Sequence, residues 1–149
     1  MHAFKVLLLL LLFAVSCSGD RLPKVPVKTL DNRTVYLSEF KGRPLVIYVW
    51  SRTCAGHVRD LKELERLSKE HKDYLFISYA VGMEPQEVEE SYRKLNISAE
   101  GFITLVDTPV RFNDYFSITF LPSTYFFDSK GRFLRSYPGL AYPDRAIKG

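Results

Sequence analysis

The stretch Pro44–Trp50, PLVIYVW, constrains the fold more than any other part of the chain. A strand with one wet face alternates apolar and polar residues, and this run does not alternate. Both of its faces are therefore covered, as in the interior strands of sheets that carry helices on both sides. At Cys54 the period changes. Val58, Leu61, Leu64 and Leu67 recur at three-residue steps with charges between them, which predicts a helix from Cys54 to about His71 with one apolar face. Tyr74–Gly82 reads as the next strand, parallel to the first because a helix separates them.

The same reading extends to both sides. Val25 to Pro44 opens with a small strand pair turned at Asp31-Asn32. Glu84–Leu95 has Pro85 at a helix-opening position, acids early and Arg93-Lys94 late, all of which suit a helix. Residues 102–107 form a short strand, and 109–118 a short helix or turn. Ser123–Ser129 and Arg132–Gly139 pair as a hairpin around Ser129-Lys130-Gly131. Strands alternating with helices and ending in a hairpin predict an α/β domain with a mixed sheet, the run at 44–50 at its centre.

The length of 149 residues suits one domain with a modest core. The net charge is +4, with Lys and Arg scattered among Asp and Glu, so nothing resembles a nucleic-acid footprint and no such partner is expected. The first residues differ. Lys5 precedes an apolar run from Val6 to Val15, too short to span a bilayer and followed by small residues, which is the pattern of a secretory signal. Ala14-Val15-Ser16-Cys17 resembles a bacterial lipobox, in which the cysteine is acylated and becomes the mature N-terminus. The expected layout is a lipoprotein-type signal at 1–16, a tether at 17–23, the domain at 24–140 and a short tail at 141–149. The location is outside the cytoplasm, in the periplasm or cell envelope, with a membrane anchor through lipidated Cys17.

Cys17 and Cys54 are the only cysteines. With Cys17 lipidated or removed, Cys54 is the sole thiol of the domain, and an unpaired cysteine in an exported protein raises the question of a reactive thiol. It falls where a strand gives way to a helix, in WSRTCAGH. Unpaired backbone N–H groups and the positive end of the helix dipole favour thiolate there. His57, three residues on, faces the same side of the helix, and Arg52 adds positive charge.

The frame KGRPLVIYVWSRTCAGH…LKEL resembles the active-site segment of thioredoxin-like proteins of the TlpA/ResA type, which are exported, membrane-anchored thiol–disulfide oxidoreductases. A second block, YFSITFLPSTYFFDSKGRFLRSYPG, is similar to that family's segment with a cis-proline before a strand. The resemblance covers about Leu22 to Gly139. It implies a thioredoxin-like fold with a central mixed β-sheet flanked by helices, and the short tail leaves the C-terminal helix short or missing. It implies Cys54 as the catalytic nucleophile, with Trp50, Thr53 and Pro122 contacting substrate and Pro122 cis beside the cysteine; His57 joins Cys54 as a catalytic residue through its place on the same helix face. The partners it implies are protein or small-molecule thiols and disulfides in the cell envelope. It implies no cofactor.

The departures from the family shape the chemistry. Thr53 replaces a Trp, and His57 stands where the second cysteine belongs. A histidine cannot resolve a mixed disulfide, so net dithiol turnover is excluded and a single exchange step by Cys54 remains. The alternative is a catalytically degenerate thioredoxin-fold binding module. A peroxidase is weighed because Ser51 stands three residues before Cys54, but the proline that peroxiredoxins carry is Ile47 here. A metal-binding module would need more than a thiolate and one imidazole, and His71 is fourteen residues away from His57 along the same helix. The sequons at Asn32 and Asn96 read as chance matches beside a bacterial-type signal.

Overall fold

The computed structural model describes residues 21–52 and 56–147. Signal, lipobox and Cys17 lie outside the described residues, as do Thr53 and Cys54. The described chain forms strands β1 (Pro26–Lys28), β2 (Thr34–Tyr36), β3 (Leu45–Trp50), β4 (Leu75–Val81), β5 (Ile103–Asp107), β6 (Ser123–Phe127) and β7 (Phe133–Pro138). Helices α1 (His57–Glu70) and α2 (Pro85–Leu95) follow β3 and β4, and a single turn, α3 (Asp144–Ile147), follows β7. The sheet order is β2-β1-β5-β4-β3-β6-β7. β3 pairs in parallel with β4, as the helix between them requires, and antiparallel with β6.

β3 is buried along its whole length, because β4 and β6 flank it and both sheet faces are covered. It is not the middle strand, however. Adding the β1–β2 hairpin beyond β5 moves β4 into that position. The two faces are also covered differently from the expectation of helices on both sides. Leu61, Leu64 and Leu67 of α1 and Val88 and Tyr92 of α2 all join one core with Val46, Tyr48 and Trp50. The opposite core contains Ile47, Val49 and Tyr79, closed by Val25, by Leu37 of a 3-10 turn at Leu37–Phe40, and by Phe112 of another at Arg111–Asp114. Extended chain and short turns do on that side what a helix does on the other.

The apolar stripe of α1 departs from the three-step reading at its first residue. Val58 is 43% exposed. Six residues of a helix turn through about 600°, so Val58 lies about 120° around from Leu64, off the core stripe. His57 falls within about 20° of Leu64 and takes the inward place instead. The described helix also starts at His57 rather than at Cys54. Gly56 precedes it at φ 84°, in the left-handed region, where a helix cannot pass through and where glycine alone adopts the geometry at little cost.

The folded unit reaches past both expected boundaries. Arg21 bridges Arg132, and the Leu22 N–H donates to the Gly131 carbonyl at 2.7 Å, so the chain is held before residue 24. After residue 140, the Ala141 N–H donates to Thr124 Oγ1 at 2.9 Å, and Ala141 is buried. The tail is thus docked, although its helix is only one turn long.

Candidate active site

β3 delivers Trp50 to the end of the sheet, where α1 begins. The Trp50 ring is fully buried and lies flat against the imidazole of His57, with ring centroids 5.5 Å apart and 11° between planes. Its indole N–H donates to Ser78 Oγ at 2.9 Å, and Ser78 Oγ also accepts from the Tyr92 hydroxyl at 2.7 Å. Tyr92 in turn shares a hydrogen bond with Thr104 Oγ1 at 2.9 Å. Burial raises the Tyr92 hydroxyl to about 12, against the opposing pull of its bonds to Ser78 and Thr104. Three strands and a helix therefore fix the plane on which His57 rests. The resemblance implies a substrate contact at Trp50, and the ring found there is fully buried with the His57 imidazole stacked on it.

Ser78 is the keystone of this set, and its signal was a lone polar residue inside the apolar run 74–82. Replacing Ser78 with Ala leaves the buried Trp50 N–H without an acceptor. The expected cost is about 2 kcal/mol, read as a lowered urea midpoint with an unchanged slope.

Arg52 is less of an electrostatic asset than its sequence position implies. Its guanidinium is paired with Glu87 in the first turn of α2, and Glu87 also accepts from the Glu84 N–H at 3.2 Å. The pair is solvent-exposed and compensates the charge, so its role is to tie the loop after β3 to α2.

Facing α1 is the segment before β6. The Leu121–Pro122 peptide bond is cis, as the resemblance implies. The Pro122 carbonyl accepts from the Gly139 N–H at 2.7 Å, which fixes the loop to the end of β7. Pro122 and Gly56 line one cleft of about 570 Å³ with Arg59, Asp60, Glu63 and Tyr142. Sequence reasoning missed the second floor of this cleft: the hydroxyl of buried Tyr48 donates to Asp60 Oδ2 at 2.8 Å, and Tyr142 of the tail donates to Glu63 Oε1 at 3.3 Å. Phe120 and Leu121, just before Pro122 in the chain, are 60% and 39% exposed. The structure thus brings together the start of α1, His57 and Pro122. Thr53 and Cys54 lie outside the described residues, and Gly56, two residues after Cys54 in sequence, lines the cleft.

A sheet of this order, with a cis-proline loop opposite a helix start, invites comparison with known proteins. The family model described as AhpC/TSA matches residues 18–139. The chain belongs to the AhpC/TSA family. It is 26% identical over 117 residues to the thioredoxin-like protein YneN of Bacillus subtilis (strain 168), an alignment covering 76% of this chain and 66% of that relative. The chain therefore spans about two thirds of the length of the curated relative it matches. Among solved structures, a secreted disulfide oxidoreductase of Mycobacterium tuberculosis superposes with a TM-score of 0.67 at 16% identity, covering 84% of this chain and 90% of that one. The exposed lipoprotein thioredoxin of Streptococcus pneumoniae strain TIGR4 gives 0.67 at 19% identity, covering 85% and 96%. At these identities the superpositions establish the thioredoxin-like fold, and the resemblance to thioredoxin-like thiol–disulfide oxidoreductases read from the two sequence blocks stands.

Proposed function

We propose that this chain is an exported thioredoxin-like thiol–disulfide exchange protein in which Cys54 is the single nucleophile. The observation that carries the reading is the cleft shared by Gly56 and cis Pro122, with His57 fixed beside it on Trp50. The Cys54 thiolate attacks one sulfur of a disulfide, a new S–S bond forms to Cys54, and the other sulfur leaves as a thiolate that takes up a proton. His57 occupies the place of a resolving cysteine, so release needs a second thiol from outside the motif. That thiol attacks the mixed disulfide, returns Cys54 to its reduced form and keeps the new bond. The natural partners are protein or small-molecule thiols and disulfides of the cell envelope.

Export and anchoring belong to the same proposal. The apolar run at 6–15 and the small residues before Cys17 support cleavage after Ser16 and acylation of Cys17. The names of the two solved relatives, one secreted and one an exposed lipoprotein, fit that reading. Among the described residues no helix is long and apolar enough to cross a membrane. The test of the exchange reading is the reactivity of Cys54 toward an alkylating agent as a function of pH, since a working nucleophile reacts as thiolate near neutrality and an inert thiol does not.

A further inference from the structure

The exposed charges differ between the two ends of the sheet, since the cleft end mixes cations such as Lys28, Arg52 and Arg111 with acids. At the end where β6 turns into β7, away from the cleft, six exposed cations gather: Arg21, Lys41, Arg43, Lys72, Lys130 and Arg132. Backbone contacts hold them together. Arg21 bridges Arg132, the Gly42 N–H donates to the Ser129 carbonyl at 2.9 Å, and the Arg43 guanidinium reaches the Lys72 carbonyl at 3.2 Å. A Cβ placed on Gly131 would lie 3.7 Å from Lys41 Cβ. The acids of the same loops are Asp73 and Asp128. Asp128 is already committed to Arg132 and to the turn's own N–H groups, which hold its carboxyl below the usual carboxylate range despite partial burial. At the opposite end, the first turns of α2 carry Glu84, Glu87 and Glu89.

We propose that the basic end is a membrane-facing surface that seats on anionic lipid headgroups. The proposal rests on the reading of Cys17 as a lipid anchor. Arg21 is fixed beside Arg132, and only three residues lie between Cys17 and Arg21. Such a stretch spans at most about 14 Å. A tether that short keeps the cations near the reach of the surface potential, which decays over about 8–10 Å. The orientation also suits the chemistry. β3 runs from this end to the cleft, six residues at about 3.3 Å each, which lifts the cleft about 20 Å off the bilayer toward its partners.

The test uses the full chain with Cys17→Ser, so that no acyl chain is present. Its binding to vesicles of phosphatidylcholine with phosphatidylglycerol is compared with binding to phosphatidylcholine alone, at low and high salt. The leader with its Lys5 is the same in every variant, so its contribution cancels when the variants are compared on the same vesicles. We expect binding at least about tenfold tighter on the anionic vesicles at low salt, lost at high salt. The triple variant Lys41→Glu/Lys72→Glu/Lys130→Glu removes the difference, with an unchanged unfolding midpoint confirming the fold. Reversal at the other end, Lys28→Glu/Arg111→Glu, leaves it within about twofold, because those groups lie beyond the screening length. Equal binding to both vesicles overturns the proposal. So does an equal loss from both sets of reversals, which is a net-charge effect, or tighter salt-sensitive binding to duplex DNA than to the vesicles. The anchor reading fails separately, by mass spectrometry showing an unacylated N-terminus on the native protein.

Discussion

His57→Cys is expected to give the domain a turnover it lacks. In the parent, Cys54 forms a mixed disulfide and has no neighbouring thiol to resolve it. The variant supplies one at the three-residue spacing of the family motif, on a residue that opens α1 beside the cleft. Two thiols of the protein then become one disulfide while the substrate disulfide gains both electrons and two protons. With dithiothreitol regenerating the dithiol, insulin disulfide reduction should rise by at least about tenfold over the parent. The same change removes the imidazole from the Trp50 face, so a small loss of stability accompanies the gain. An unchanged rate in a folded variant would mean that position 57 does not face Cys54 productively.

The second large effect is on stability, at Asp107. This carboxylate is 1% exposed and accepts three hydrogen bonds: from the Tyr79 hydroxyl at 2.7 Å, the Arg111 N–H at 3.0 Å and the Phe112 N–H at 2.8 Å. Burial first, then the adjacent Asp107 charge, pushes the Tyr79 hydroxyl well above its ordinary value, so it stays a donor across the accessible pH range. The network also holds Val110 at φ 58°, a left-handed conformation that β-branched residues rarely take. Asp107→Ala strands two buried donors and a part-buried one, and frees that turn. The expected cost is about 3–5 kcal/mol, a large share of the stability of a domain this size, measured by urea unfolding. Asp107→Asn keeps an acceptor and should cost clearly less. Equal, small losses from both would mean that the turn at 108–114 is held by Phe112 packing rather than by the carboxylate.

The strands and helices were legible because burial on both faces and helical periodicity leave marks in the sequence, as at 44–50 and 85–95. The cis bond at Pro122 and the pairing of cleft elements followed from resemblance to a family with the same two blocks. Other features left weaker marks. A three-residue repeat fits a helix only locally, so it placed Val58 on the stripe and hid His57. Which face each helix covers depends on crossovers between strands, so the placement of α1 and α2 on one face was not readable from either segment. Tyr48 with Asp60, and Tyr79 with Asp107, are pairs made by folding; their only trace was a polar or aromatic group inside an apolar run, which buried polar groups need partners to justify. Arg52 was visible as a charge, but its compensation by Glu87, thirty-five residues on, was not.

The most direct test of the central claim is the rate of alkylation at Cys54 against pH, in the full chain with Cys17→Ser so that one thiol reports. If Cys54 is the nucleophile of the cleft, the rate follows a thiol that titrates below the ordinary value of about 8.5, and His57→Ala shifts that profile upward and slows the reaction at neutral pH. A profile centred near about 8.5 and unmoved by His57→Ala would contradict it, and would leave a thioredoxin-fold protein that binds its partners without exchanging disulfides with them.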